Sequence, residues 1–414
     1  MRVLFVTELW PPHGGSFVFD QIKSISSFVS ATVVVLIPHP PRLSRYRSLH
    51  SWFVDKSAEP KLECGIPVYY LRYGTIPELG KYLNSMQASR SLAQFLRHRR
   101  ERFDLIHAHF AYTAGFAAVR AGKRFDLPVI VATYGSDINF YTRRNLKNLA
   151  AALFTIWGLQ HATAITALSN DLAAKIAALG VSGPKITVIP LGIQETIFFP
   201  RGEKSMLRRQ LQLPDDGRLF LFVGNWVPVK GLTFLFEALA QVYRKFPAAR
   251  LVMIGHGKLE PLLKQQTQHL RIEKQIIWAG PKPHAEIPLW MSAADFLVLP
   301  SLSEGYGLVV LEALACGIPV IASHVGGIPE ILLSNDLGML VPPRDSEALT
   351  RAMLNAIDKK WETKKLVEYA HTRTWSAQTQ KLLQVYQNVL EQRAEGIEQR
   401  ATDNCDFGPR TSDF

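Results

Sequence analysis

Short runs rich in Val, Ile and Leu alternate along the chain with segments whose apolar positions recur at helical spacing, the pattern of parallel strands joined by covering helices. In the first half the strand candidates are residues 3–7, 31–37, 67–71, 105–109, 129–133, 164–168 and 186–190, with helices between most of them. Residues 171–179 form one such helix, with Ser169 as a cap just before it and Gly180 where a left-handed stop is wanted. The alternation restarts with a strand at 219–223, a helix at 232–246, a strand at 251–255, a polar helix to about residue 270, and strands at 276–278 and 296–299. The fold class is therefore α/β, as two doubly wound domains in series. Their join is expected in the polar stretch 194–204, which contains Pro200 and Gly202. An amphipathic helix near 375–391 precedes residues 393–414, which lack periodicity and read as a disordered tail.

The length of 414 residues suits two domains, and 47% hydrophobic with 20% charged residues is enough apolar material for two cores. No stretch is apolar for long enough to span a bilayer, and the first residues read as a strand, so a cytoplasmic enzyme is expected. Cys64, Cys316 and Cys405 are far apart and show no CxxC spacing, which suggests reduced thiols. The net charge of +12 is uneven: residues 1–200 carry +10 and the remainder +2. The excess gathers in two places, residues 39–61, where Arg42, Arg45 and Arg47 mingle with Tyr46, Trp52 and Phe53, and residues 90–102. Such basic and aromatic surface fits peripheral contact with an anionic membrane at its inner face, or a solvated helix face. No helix-turn-helix, zinc-finger or RNP pattern accompanies it, so nucleic acid is not expected as a partner.

Open α/β sheets bind ligands beyond the carboxyl ends of their strands, which is where chemistry should sit. After the first strand, Gly14 and Gly15 precede a helix, permitting close backbone approach to an anionic group or merely a tight turn. Neither GxGxxG nor a Walker loop is present. His107 and His109 lie two apart at a strand end and hence on one face, as a metal pair lacking a third ligand or as satisfied strand-end histidines. The loop 133–137 carries Asp137, which binds sugar hydroxyls or caps the next segment. The pattern leaves both readings open.

In the second domain the first strand runs into Gly224, Asn225 and, at a helix start, Lys230, placed to bind phosphate as a point charge or to stand exposed. Gly255 and Gly257 end the next strand. Most specific is the segment 300–313, in which Glu304 and Glu312 frame Gly305, Tyr306, Gly307 and Leu308. The backbone amides there open a helix and make an anion site suited to a diphosphate, and a carboxylate on either side can accept hydrogen bonds from sugar or ribose hydroxyls.

These residues resemble the GT-B glycosyltransferases, in particular the retaining family 4. The Glu-x7-Glu element of that family is similar to Glu304–Glu312, and its surroundings match at Ala293-Ala294-Asp295, Ala315-Cys316-Gly317-Ile318-Pro319-Val320 and Val325-Gly326-Gly327-Ile328-Pro329-Glu330. The resemblance implies two Rossmann-like domains facing across a cleft: an acceptor-side domain at 1–197, a nucleotide-sugar-binding domain at 198–374, and a helix at 375–392 that crosses back to the first domain. It implies transfer of a sugar from a nucleotide-sugar donor to a glycan or lipid-linked acceptor with retention, without metal or cofactor. Carried over, Lys230 would hold the donor diphosphate, Glu312 the ribose and Glu304 the donor sugar; Gly14 and Gly15 would lie against the diphosphate, His109 near the anomeric centre and His107 beside it. Two departures stand out. Asn225 occupies a position where many members carry arginine, and Tyr134 one where histidine is common.

Three classes compete: an active glycosyltransferase building a cell-surface glycan, a catalytically lapsed protein that keeps the fold and the nucleotide site, and an epimerase or phosphorylase on the same architecture. Lys230, Glu304 and Glu312 together argue against the second. A phosphorylase would need a lysine for pyridoxal phosphate, and nothing in the sequence singles one out.

Overall fold

A computed structural model describes residues 1–11, 15–39, 60–75, 81–99, 101–141 and 149–405. The chain divides into two compact units, one comprising Met1–Pro190 with Gln378–Phe414 and the other Leu191–Ala377. The division falls at Pro190, a few residues ahead of the join expected at 197.

The first unit holds an eight-stranded sheet: β1 (Arg2–Thr7), β2 (Ser30–His39), β3 (Lys61–Glu63), β4 (Ile66–Gly74), β5 (Leu105–His109), β6 (Val129–Thr133), β7 (Ala164–Ala167) and β8 (Ile186–Val188). Their order is β3-β4-β2-β1-β5-β6-β7-β8, and every pairing is parallel except β3 with β4. Strands β5 and β6 are buried along their whole length, as expected of strands covered on both faces. Hydrophobic patterning misses the strands Val320–Ser323 and Gly338–Val341 of the second unit and, in this one, β3. It is three residues long, mostly exposed, and turned back on β4 by Cys64 and Gly65, both at positive φ.

The second unit is a six-stranded parallel sheet: β9 (Arg218–Val223), β10 (Ala249–Ile254), β11 (Ile276–Gly280), β12 (Phe296–Leu299), β13 (Val320–Ser323) and β14 (Gly338–Val341), in the order β11-β10-β9-β12-β13-β14. Counted within the unit, that is the 3-2-1-4-5-6 order of doubly wound folds. The core is apolar, with Phe220, Phe222, Phe236, Val298, Leu299 and Met353 fully enclosed.

The helix Asn170–Ala177 begins as its sequence suggests, Ser169 Oγ accepting from the Leu172 amide. The last helix departs from expectation. It spans Trp375–Cys405, so residues 393–405 are helical where a disordered tail was expected. Glu, Gln, Arg and Ala in that stretch are strong helix formers despite the missing apolar stripe. Arg393 also reaches back to the Asp126 carboxylate at 3.1 Å, tying this end to the first unit. Residues 406–414 lie outside the described ones. Among the described residues no helix is long and apolar enough to cross a membrane.

Candidate active site

In the second unit the strand order reverses at β9, whose neighbours are β10 and β12, so the ends of β9 and β12 flank the switch point where such sheets take ligands. Lys230 closes a short turn after β9, and Gly231 at φ 63 opens the helix Leu232–Lys245. A Cβ at Gly231 would stand 2.2 Å from the Pro300 carbonyl oxygen, so only glycine admits the loop that follows β12. The Leu302 amide donates to Val229 O at 2.7 Å and joins the two loops. Lys230 Nζ consequently donates to Glu304 Oε1 at 2.5 Å, and Ser301 Oγ donates to the same oxygen at 2.7 Å. With only 20% and 13% of their side chains exposed, lysine and glutamate form a partly desolvated pair. Oε2 of Glu304 receives no hydrogen bond from the described residues.

Gly307, at φ 88, begins the helix Leu308–Ala315, whose inner positions are buried and hold its amino end fixed. Glu312 Oε1 lies 3.2 Å from His284 Nε2. His284 comes from the loop after β11 and packs edge-on against Phe198 at 5.1 Å. Tyr306 is 2% exposed, its hydroxyl beside Arg373; burial pushes that hydroxyl up to about 12, and the ring anchors the loop from within. Asn225 is exposed in the loop after β9. Gly255, at φ 131, is required by packing, since an added Cβ would lie 2.0 Å from Gly224 O. Asp295 is structural: its carboxylate accepts from Arg208 Nη2 at 2.7 Å, Lys204 Nζ at 3.0 Å and the Leu219 amide at 2.8 Å. Burial raises its pKa, but the two cations and the amide outweigh that and hold it below the usual range.

The first unit reverses order at β1, between β2 and β5. His107 and His109 at the end of β5 are both fully buried, their rings 4.6 Å apart. His107 Nδ1 is 2.7 Å from the hydroxyl of Tyr386 on the last helix, and His109 Nδ1 is 2.6 Å from that of Tyr134. Burial keeps both imidazoles neutral, taking His107 down to about 3 and His109 well below its ordinary value with help from His107. Among the described residues no group of three or more His, Cys, Asp or Glu is placed to hold a metal ion.

Asp137 takes the capping role. Its Oδ1 accepts from the amides of Tyr134, Gly135 and Ile138 and its Oδ2 from that of Ala111, with 2% of the residue exposed. Those bonds brace a strained stretch directly after His109, where Phe110 (φ 74) and Thr113 (φ 51, ψ −69) sit in sparsely allowed conformations. Thr113 bonds the side chain of Glu8 at the end of β1, as does Tyr73 at 3.2 Å. Burial raises the Glu8 carboxyl to about 7 against those two bonds. Gly15 caps the helix Ser16–Ile25 at φ 77. Gly14 lies outside the described residues, as do Arg42, Arg45, Arg47, Tyr46, Trp52 and Phe53.

The family described as glycosyl transferases group 1 matches residues 203–373, and the glycosyl transferase 4-like domain matches residues 29–192. The chain belongs to the group 1 glycosyltransferases. A relative from Bacillus subtilis named putative teichuronic acid biosynthesis glycosyltransferase TuaC is 30% identical over 91% of this chain and 90% of its own. A D-inositol 3-phosphate glycosyltransferase of Thermobispora bispora is 29% identical over 80% of this glycosyltransferase and 82% of its own chain. Among solved structures, Anabaena Alr3699/HepE in complex with UDP superposes with a TM-score of 0.72 at 21% identity, over 94% of this chain and 100% of that one. Sucrose-phosphate synthase from Thermosynechococcus elongatus gives a TM-score of 0.79 at 19% identity, over 94% and 100%. At these identities the likeness concerns the fold, which is GT-B. Glu8, Gln21 and His284 carry no sequence signal because no spacing ties them to the motifs they touch, and Ser301, inside the 300–313 segment, has no pattern that marks its bond to Glu304.

Proposed function

We propose that this glycosyltransferase moves a sugar from a nucleoside-diphosphate donor, with retention at the anomeric carbon and without a metal ion, to a glycan or lipid-linked acceptor of the cell surface. The observation that carries it is the Lys230–Glu304 pair beside the opening of the Leu308–Ala315 helix. Cleavage of a sugar–phosphate bond builds negative charge on the leaving diphosphate. An ammonium 4 Å away is worth on the order of 4 kcal/mol at an effective dielectric of 20, before desolvation. The first amides of the helix add fixed dipoles of the same sign. Glu304 holds the ammonium in place through Oε1 and turns Oε2 to a hydroxyl of the donor sugar. Glu312, oriented by His284, takes the ribose hydroxyls. Asn225 offers a neutral donor to the diphosphate where many relatives carry arginine. The names of the B. subtilis protein, a teichuronic acid glycosyltransferase, and of the UDP-bound Anabaena structure support the acceptor class and the donor class respectively.

Contact with an anionic membrane fits the exposed Arg90, Arg97 and Arg102 on and after the helix Lys81–Arg97, and Arg99, which lies over the Tyr69 ring at 4.0 Å. The deciding experiment supplies UDP-, GDP- and ADP-sugars in the presence of a chelator and follows nucleoside diphosphate release, with the anomeric configuration of product read by NMR. Chelator-insensitive release of a retained product is expected; inverted product, or no release from any donor, removes the proposal. Binding to anionic liposomes should fade as salt rises, and salt-independent or absent binding removes the membrane contact.

A further inference from the structure

The loop after β6 presents Tyr134 to two partners at once. Its hydroxyl donates to Gln21 Oε1 at 3.2 Å and also lies 2.6 Å from His109 Nδ1. All three residues are buried, Gln21 at 6%, Tyr134 at 8% and His109 at 0% exposure, and all belong to the first unit. A phenol has a single proton. If it goes to the Gln21 carbonyl oxygen, the 2.6 Å contact with His109 requires the proton between them to reside on Nδ1, with the phenolic oxygen accepting. The other ring nitrogen then carries a bare lone pair; His109 Nε2, like His107 Nε2, is buried and has no hydrogen-bond partner among the described residues.

We infer that Gln21 and Tyr134 are positioning residues that fix His109 in the Nδ1–H tautomer, which leaves its buried Nε2 able to accept a hydrogen bond but not to donate one. The tautomer of an imidazole is set by the bond its other nitrogen makes, and here that bond is set one step further away by an amide on the helix Ser16–Ile25. The ring cannot escape the choice by taking a second proton, because burial and the neighbouring His107 keep it neutral. His107 lacks such a relay: its Nδ1 meets the Tyr386 hydroxyl, which has no further acceptor among the described residues. The two histidines, alike in sequence, are thus unequal in what dictates their protons. Any effect on turnover rests on the function proposed above; the tautomer does not.

The test is long-range 1H–15N NMR on the full-length protein at neutral pH, with the His109 signals assigned by a His109→Asn variant. Wild type should show a protonated Nδ1 and a bare Nε2. Gln21→Leu removes the acceptor and frees the Tyr134 proton for Nδ1, so the pattern should invert; Tyr134→Phe, which deletes the hydroxyl, should lose the Nδ1–H preference as well. Either variant decides the matter if the other fails to fold. Both should lower kcat on the order of tenfold while leaving the donor KM within about twofold, since the lysine and glutamates of the second unit are untouched. A wild-type Nε2–H pattern, or an unchanged pattern in the folded variants, overturns the relay. An intact Nδ1–H tautomer in a protein that consumes no sugar donor leaves the relay standing and removes the function instead.

Discussion

Lys230 Nζ lies 2.5 Å from Glu304 Oε1 although 74 residues separate them, because the strands they follow, β9 and β12, are neighbours in the sheet. The pair is a unit: the glutamate sets where the ammonium stands, and the ammonium keeps the carboxylate from being a buried unpaired charge. Lys230→Met should lower kcat/KM for the donor by about 10²–10³-fold, the scale of one lost electrostatic contact to a developing oxyanion. Glu304→Gln should cost less than that. The double variant should fall short of the product of the two effects, with coupling of about 0.5–3 kcal/mol. Steady-state kinetics on the four proteins checks this, and strict additivity would show that the two side chains act separately.

His284 and Glu312 make a different kind of pair. The ring touches Oε1 at 3.2 Å from a half-exposed position. His284→Phe preserves the packing on Phe198 but loses the nitrogen. The expected result is a donor KM about tenfold higher with kcat nearly unchanged, the signature of a uniform binding loss. Calorimetric titration with the nucleoside diphosphate alone should show the same loss.

Asp137 should answer to stability rather than to substrate. Four backbone amides converge on its carboxylate, and an amide side chain cannot accept from all of them. Asp137→Asn should lower unfolding stability by about 3 kcal/mol, the scale of a charged acceptor lost from a buried network. The midpoint of denaturant unfolding should shift without a change in slope, and donor binding to the folded variant should persist.

Two groups, the fully buried His107 and the half-buried Glu8, pull the pH dependence in opposite directions. His107 titrates at about 3 in the folded protein against an ordinary 6.5, so the unfolded chain takes up its proton first; this contribution to stability is present above about 6.5 and is lost as pH falls toward 3. Glu8, raised to about 7 from 4.5, holds its proton longer when folded, and its contribution is lost as pH climbs from about 4.5 to 7. Thermal unfolding across this range should show His107→Gln flattening the acid limb. Glu8→Gln should remove the decline between about 4.5 and 7, and the opposite sign in either variant would refute the assignment.

Much of the architecture is legible in residue order. The limits of β6 and β12 follow directly from their apolar runs, because strands covered on both faces are built mainly of apolar residues, whereas β5 is equally buried although His107 and His109 interrupt its run. Where burial does not dictate composition the pattern is silent, as at the short exposed β3 and at the polar end of the last helix. The motif residues Lys230, Glu304 and Glu312 are visible because each follows a strand; their partners Ser301 and His284 are not, since a hydroxyl or a lone imidazole in a loop carries no periodic signal.

The sequence by itself determined the two α/β units, the positions of most of their strand ends, and the acids and lysine gathered there, because strand and helix periods are properties of near neighbours in the chain. Only the tertiary structure decided what those groups touch. Tyr386 reaches His107 across 279 residues and Tyr134 reaches Gln21 across 113, so the state of each imidazole is fixed by side chains that sheet order and a returning helix bring to it. A buried hydrogen bond depends on distance and direction in space, and neither is written into the spacing of residues along the chain.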